Sequence, residues 1–266
     1  MSKKKAGILS LIGYLLTMGI GILIGNIVSN LLGENVLGTM NVDSNNIIYK
    51  IIIQIPPTVF LLYFAKKYYN WKDIGFKSIK LKSLIWFIPY LIVLIFMTIK
   101  FITELSKNIE LYDSNIYMLI IITFIGTVMA GFCEEVIFRG IILNSFKSEK
   151  SYIIAMIISS IGFSIVHITT VVMGNSLIDA LITVFYSSLL GFAFVGLVMK
   201  MENIWPLIVF HSIWNFILMV SQTLQLELSL AVGICNIMNI FMAILLWIIV
   251  IIGERRKASK KTILAN

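Results

Sequence analysis

Charge is scarce in this sequence. Asp, Glu, Lys and Arg make up 13% of its 266 residues, about half the share usual in soluble domains. Hydrophobic residues reach 59%, and the mean hydropathy is +0.98. Together these values exclude an ordinary soluble domain and indicate a polytopic membrane protein. Cysteine is nearly absent: Cys133 and Cys235 both lie in apolar runs, where a thiol behaves as a small hydrophobe, so no disulfide framework is implied. No His-Glu-x-x-His stretch occurs, which excludes the zincin arrangement as a local motif. No internal repeat is evident, which disfavours inverted-repeat transporters. The net charge of +8 does not point to nucleic acid, because the basic residues gather in short segments between apolar runs, a pattern that sets membrane orientation. The Lys3 to Lys5 start resembles a signal peptide, but the apolar stretch from Ile8 to Leu32 is too long for an h-region and has no Ala-x-Ala site, so it reads as a retained first span.

Eight segments approach the roughly 20 apolar residues that a spanning helix needs: 8–32, 47–65, 83–103, 116–146, 152–170, 177–199, 204–221 and 229–252. The expected fold is therefore all-α, a single membrane domain over 1–266 with about eight transmembrane helices. Basic and acidic connections alternate along it. Lys3 to Lys5 precede Glu34 and Asp43; Lys66 to Lys82 precede Glu104, Glu110 and Asp113; Lys147 and Lys150 precede Asp179; Lys200 precedes Glu227; and Arg255 to Lys261 close the chain. Basic loops stay inside, so both termini are predicted to be cytoplasmic. Gly21 and Gly25 read as helix packing. Pro56, Pro57 and Pro89 should kink their helices or end a turn. The segment Lys66 to Lys82, with Trp71 and Phe76, reads as a positive-inside loop in preference to a headgroup-binding segment.

The run Gly131 to Arg139 places Glu134, Glu135 and Arg139 in an apolar stretch, where a charge at the bilayer centre costs at least about 2.5 to 3.5 kcal/mol. Glu135 and Arg139 share a helical face and can pair as a fixed scaffold, whereas Glu134 lies roughly 100° away and lacks that partner. Only two histidines occur, and both fall within predicted spans. His167 lies one turn beyond Phe163, and His211 one turn before Asn215. Each histidine alone is as consistent with interhelical hydrogen bonding as with chemistry. Together, one carboxylate, two imidazoles and a carboxamide suit hydrolysis: a buried carboxylate as general base toward water, with imidazole and amide as oxyanion donors. A divalent metal such as zinc, held by Glu134, His167 and His211, is the other possibility. Cys133 has no basic neighbour on its face and reads as inert.

These three elements, Glu134-Glu135-x-x-x-Arg139, Phe163-x-x-x-His167 and His211-x-x-x-Asn215, occur in this order on successive late spans. They resemble the CPBP family of intramembrane proteases, which takes in type II CAAX prenyl endopeptidases and bacterial Abi proteins of bacteriocin processing or self-immunity. The resemblance covers about 116–221, and the first three spans and the last fit as generic helices. It implies that Glu134 activates the attacking water, that His167 helps hold it, and that His211 and Asn215 stabilise the oxyanion while Glu135 and Arg139 fix the helix. It implies a metalloprotease or a metal-free, glutamate-dependent enzyme, a membrane-associated peptide or protein as substrate, and a multi-pass position in the cell membrane. Short loops and Ile- and Lys-rich composition look bacterial, which favours a bacterial peptide substrate over a prenylated one. A non-catalytic immunity or scaffold protein and a proton-coupled transporter are the competing readings.

Overall fold

The computed structural model describes residues 2–32, 44–112, 115–148, 152–172 and 174–265. Among them there is no strand. The helices are α1 (Lys3–Leu32), α2 (Ser44–Tyr68), α3 (Ile88–Asn108), α4 (Asn115–Glu135), the short α5 (Leu143–Phe146), α6 (Tyr152–Val166), α7 (Leu177–Met201), α8 (Trp205–Thr223) and α9 (Ser229–Ala265). A π-helical segment, Val136–Ile142, joins α4 to α5, and 3₁₀ turns at Leu81–Phe87 and His167–Val171 precede α3 and follow α6. Large apolar side chains stand exposed along the outer faces, Ile92, Ile178 and Ile237 among them. A water-soluble surface does not carry such continuous apolar cover, but lipid favours it.

Seven helical segments among the described residues are long and apolar enough to cross a membrane, so the protein is an all-α, multi-pass membrane protein. The predicted span over 47–65 is helical within α2, yet it is not among the seven. Even so, α2 completes a return. Lys3, Lys67, Lys77, Lys147 and Glu254 line one cavity of about 640 Å³, which puts the start of α1, the end of α2, the turn after α5 and the late part of α9 on the same face.

Packing follows the small and proline residues. α1 lies along α2, α4 sits between α2 and α8, and α7 sits between α6 and α9. Pro56 and Pro57 remain inside α2, where they remove the N–H groups that would bond the carbonyls of Ile52 and Ile53. Gly21 packs directly on that backbone, since a Cβ there would lie 2.4 Å from the Ile53 carbonyl oxygen; the predicted packing role of Gly21 and Gly25 is borne out. Pro89 follows the end of the Leu81–Phe87 turn, the second of its two expected roles. It lies in the first turn of α3, where the missing donor has no intrahelical partner to lose. The lysine-rich loop folds onto the protein. Ile204 N–H donates to Gly75 O at 3.1 Å, Asn203 donates to the Lys77 carbonyl, and Phe76 packs edge-on against Trp71 and Trp205. The Lys80 side chain pairs with Glu202 at 3.2 Å and holds that carboxyl below its usual range.

Candidate active site

The last turn of α4 carries Glu134 and Glu135, and the backbone then widens into the π segment that contains Arg139. The sequence spacing predicted a continuous α-helix here. Side chains account for the departure: Asn144 Nδ2 donates to Gly140 O at 2.7 Å and to Arg139 O at 3.3 Å, and Ser159 Oγ donates to Phe138 O at 2.8 Å. These donors add side-chain bonds to carbonyls of the expanded turn, that of Phe138 also accepting from Leu143 N–H. Such π turns cluster at functional sites.

Arg139 and Glu135 still pair. Their 3.0 Å hydrogen bond joins two side chains with no exposure. The remaining guanidinium nitrogens, Nε and Nη2, have no hydrogen-bond partner among the described residues. The guanidinium carbon instead lies 3.9 Å from the centre of the Phe163 ring. A desolvated cation over an aromatic face gains about 2 kcal/mol. The Phe163 ring also meets His167 and His211 edge-on, at centroid distances of 5.2 and 5.8 Å. One ring of α6 thus seats an arginine and both histidines.

Glu135 Oε1 accepts a second bond, from His211 Nδ1 at 2.9 Å. A carboxylate oxygen can only accept, so His211 carries a proton on Nδ1 and turns Nε2 the other way. That Nε2 lies 3.6 Å from Glu134 Oε2, and His167 Nε2 lies 3.9 Å from the same oxygen. Neither separation is a hydrogen bond. Glu134 Oε2 and His167 Nε2 are buried without a hydrogen-bond partner among the described residues. His167 does not sit on the α-helix as predicted; α6 ends at Val166 and His167 opens a 3₁₀ turn. Thr169 and Thr170 hydroxyls donate to the carbonyls of Val166 and His167, bonds that compete with regular helix continuation. The one-turn relation between Phe163 and His167 survives.

Helix α8 approaches α4 closely because Gly131 has no side chain; a Cβ there would lie 2.6 Å from Ser212 Oγ and 3.0 Å from Ser212 N. This contact brings His211 to Glu135. Asn215, one turn on, lines two cavities. The larger, about 590 Å³, also reaches His167, His211, Tyr186, Ser221 and Asn236. The smaller, about 250 Å³, reaches Glu134, His167, Tyr14, Gln54 and Met219. Helices α1, α2 and α9, read from sequence as generic, therefore supply walls of the site. Gln54 and Tyr14 were missed, and the one available signal was a carboxamide in an apolar run just before Pro56. Cys133 is buried, with Sγ 3.1 Å from the Thr58 hydroxyl, and neither cysteine is in a disulfide.

Among the described residues, no group of three His, Cys, Asp or Glu side chains is placed to hold a metal ion. The predicted trio of Glu134, His167 and His211 does converge, with the two imidazole Nε2 atoms 3.9 and 3.6 Å from Glu134 Oε2. No curated protein and no solved structure matches the chain. Residues 116–217 match the family described as Type II CAAX prenyl endopeptidase Rce1-like. Glu134, Glu135, Arg139, His167, His211 and Asn215 all fall inside that segment, so the part of the chain that carries the motifs is similar to this protease family, the one the motifs themselves resemble.

Proposed function

We propose that this protein is an intramembrane endopeptidase that hydrolyses a peptide bond of a membrane-associated peptide or protein with water activated by Glu134. The observation that supports the reading most directly is the convergence of two imidazole Nε2 atoms on Glu134 Oε2, at 3.6 and 3.9 Å. A water bonded to Glu134 at ordinary distance would also reach an imidazole. Glu134 takes a proton from that water as its oxygen attacks the carbonyl carbon, and later returns the proton to the departing amine. His167 helps hold the water. His211 and Asn215 donate to the carbonyl oxygen as it gains charge.

The Glu135 bond adds a condition. With Nδ1–H committed to Glu135, His211 can donate from Nε2 only as an imidazolium. Two carboxylates, Arg139 and that imidazolium sum to zero, so the site is neutral as a unit. We place the basic face in the cytoplasm of a bacterial plasma membrane, with α2 as an eighth crossing, and the biological role in bacteriocin processing or self-immunity.

The test is cleavage of a membrane peptide by purified protein. Glu134→Gln keeps the volume but cannot take a proton from water, so it is expected to abolish turnover while the protein still accumulates in the membrane. Full turnover in that variant would refute the general-base role. Turnover lost to a chelator and restored by zinc would assign the reaction to a metal instead.

A further inference from the structure

We infer that Gln54, on α2 and outside the family-matched segment, is a substrate-positioning residue whose carboxamide hydrogen-bonds the backbone of the bound peptide beside Glu134. The inference rests on the proteolytic reading above.

Gln54 lines the same cavity of about 250 Å³ as Glu134, His167 and Asn215. Its Oε1 is buried without a hydrogen-bond partner among the described residues, as are Glu134 Oε2 and His167 Nε2. Three orphaned polar atoms thus border one chamber. An unpaired buried polar group is costly and calls for an explanation, and a ligand that completes all three provides one. Three of the chamber's other polar groups are committed elsewhere. The hydroxyls of Thr127, Thr169 and Thr170 bond carbonyls of their own segments. Much of the remaining lining is apolar, with Met18, Ile51, Ile53, Ala130, Val166 and Met219, which suits an aliphatic side chain but offers no partner to a peptide group.

The position is also fixed. Thr58 Oγ1 donates to the Gln54 carbonyl and lies 3.1 Å from Cys133 Sγ, next to Glu134 in sequence. Pro56 and Pro57 follow Gln54 after one intervening residue, Ile55, and have their own φ locked. An extended peptide exposes an N–H and a C=O at each residue, and a primary amide can accept from one and donate to the other. Gln54 would then set the depth at which the scissile carbonyl meets Glu134.

The probe is a lysine-flanked membrane peptide with a mixed Ala, Leu, Val and Ile core and a fluorophore and quencher at its ends. Gln54→Met removes the amide and keeps the length. A hydrogen bond made equally in the ground and transition states raises KM without lowering kcat, so KM is expected to rise about threefold to tenfold. Since Oε1 has no described partner to lose, the melting temperature in detergent should stay level or rise; a purely structural Gln54 would lower it. Single ester-for-amide probes complete the cycle, because one of them should show no further effect of Gln54→Met. If wild type cleaves the probe, Glu134→Gln does not, and Gln54→Met has an unchanged KM, the inference fails alone. If wild type neither binds nor cleaves it, the proteolytic reading fails and takes the inference with it.

Discussion

Glu135 holds two partners on one oxygen, Arg139 at 3.0 Å and His211 at 2.9 Å, and the consequences for the two neighbours differ. Arg139→Ala would leave Glu135 buried with its charge uncompensated, and breaking such a pair costs about 3 to 5 kcal/mol. The expected outcome is lost accumulation in the membrane, read by fluorescence-detected size exclusion; normal levels with lost turnover would place Arg139 in the chemistry instead. Asn215, by the proposed reading, serves the reaction rather than the scaffold. Removing an oxyanion donor lowers turnover by about 10² to 10³ because the bond forms mainly in the transition state. Asn215→Ala should therefore lower kcat by that factor with KM nearly unchanged, and a raised KM with normal kcat would reassign Asn215 to substrate binding. At this scale the sequence was informative. Charged and imidazole groups in apolar runs are conspicuous because lipid makes them expensive, so Glu134, His167 and His211 could be found without coordinates. Gln54 could not, since an uncharged amide in a span carries a weaker signal.

Among the elements, the junction of α4 and α8 decides whether these groups meet. Gly131 is a point of close approach, and even one methyl group would fall against Ser212. Gly131→Ala is expected to cost about 1 to 3 kcal/mol by overpacking and to lower kcat as well, because the bond from His211 to Glu135 crosses the same junction. Thermal melts and kinetics on one preparation would check this, and a destabilised variant with full kcat would show that the site tolerates separation of the two helices. Span placement was legible from apolar length. The π segment at Val136–Ile142 and the 3₁₀ turn at His167 were not. Both depend on side-chain donors, Ser159 from a neighbouring helix and Asn144, Thr169 and Thr170 from within one or two turns, and hydrophobic periodicity does not register such bonds.

For the whole molecule, one face gathers Lys3, Lys67, Lys77 and Lys147, the grouping that alternating loop charge implied. Cysteines introduced at Lys67 and at Asn175 in a background with Cys133→Ala and Cys235→Ala should label from opposite sides of sealed vesicles, with Lys67 on the cytoplasmic side. Labelling of both from one side would overturn the topology. The resemblance in the later part of the chain pointed to a candidate site but left the early helices without a role. They acquire one only in three dimensions, where Tyr14 and Gln54 close the chamber beside Glu134.

The doubly used oxygen of Glu135 also bears on how the protein should fail under heat. One acceptor atom fastens both the Arg139 guanidinium and the imidazole that faces Glu134. If the proposed roles hold, loss of the arrangement around Glu134 and loss of the scaffold belong to a single cooperative event. A folded but inactive population should not accumulate on warming, and the inactivation curve should superimpose on the unfolding curve.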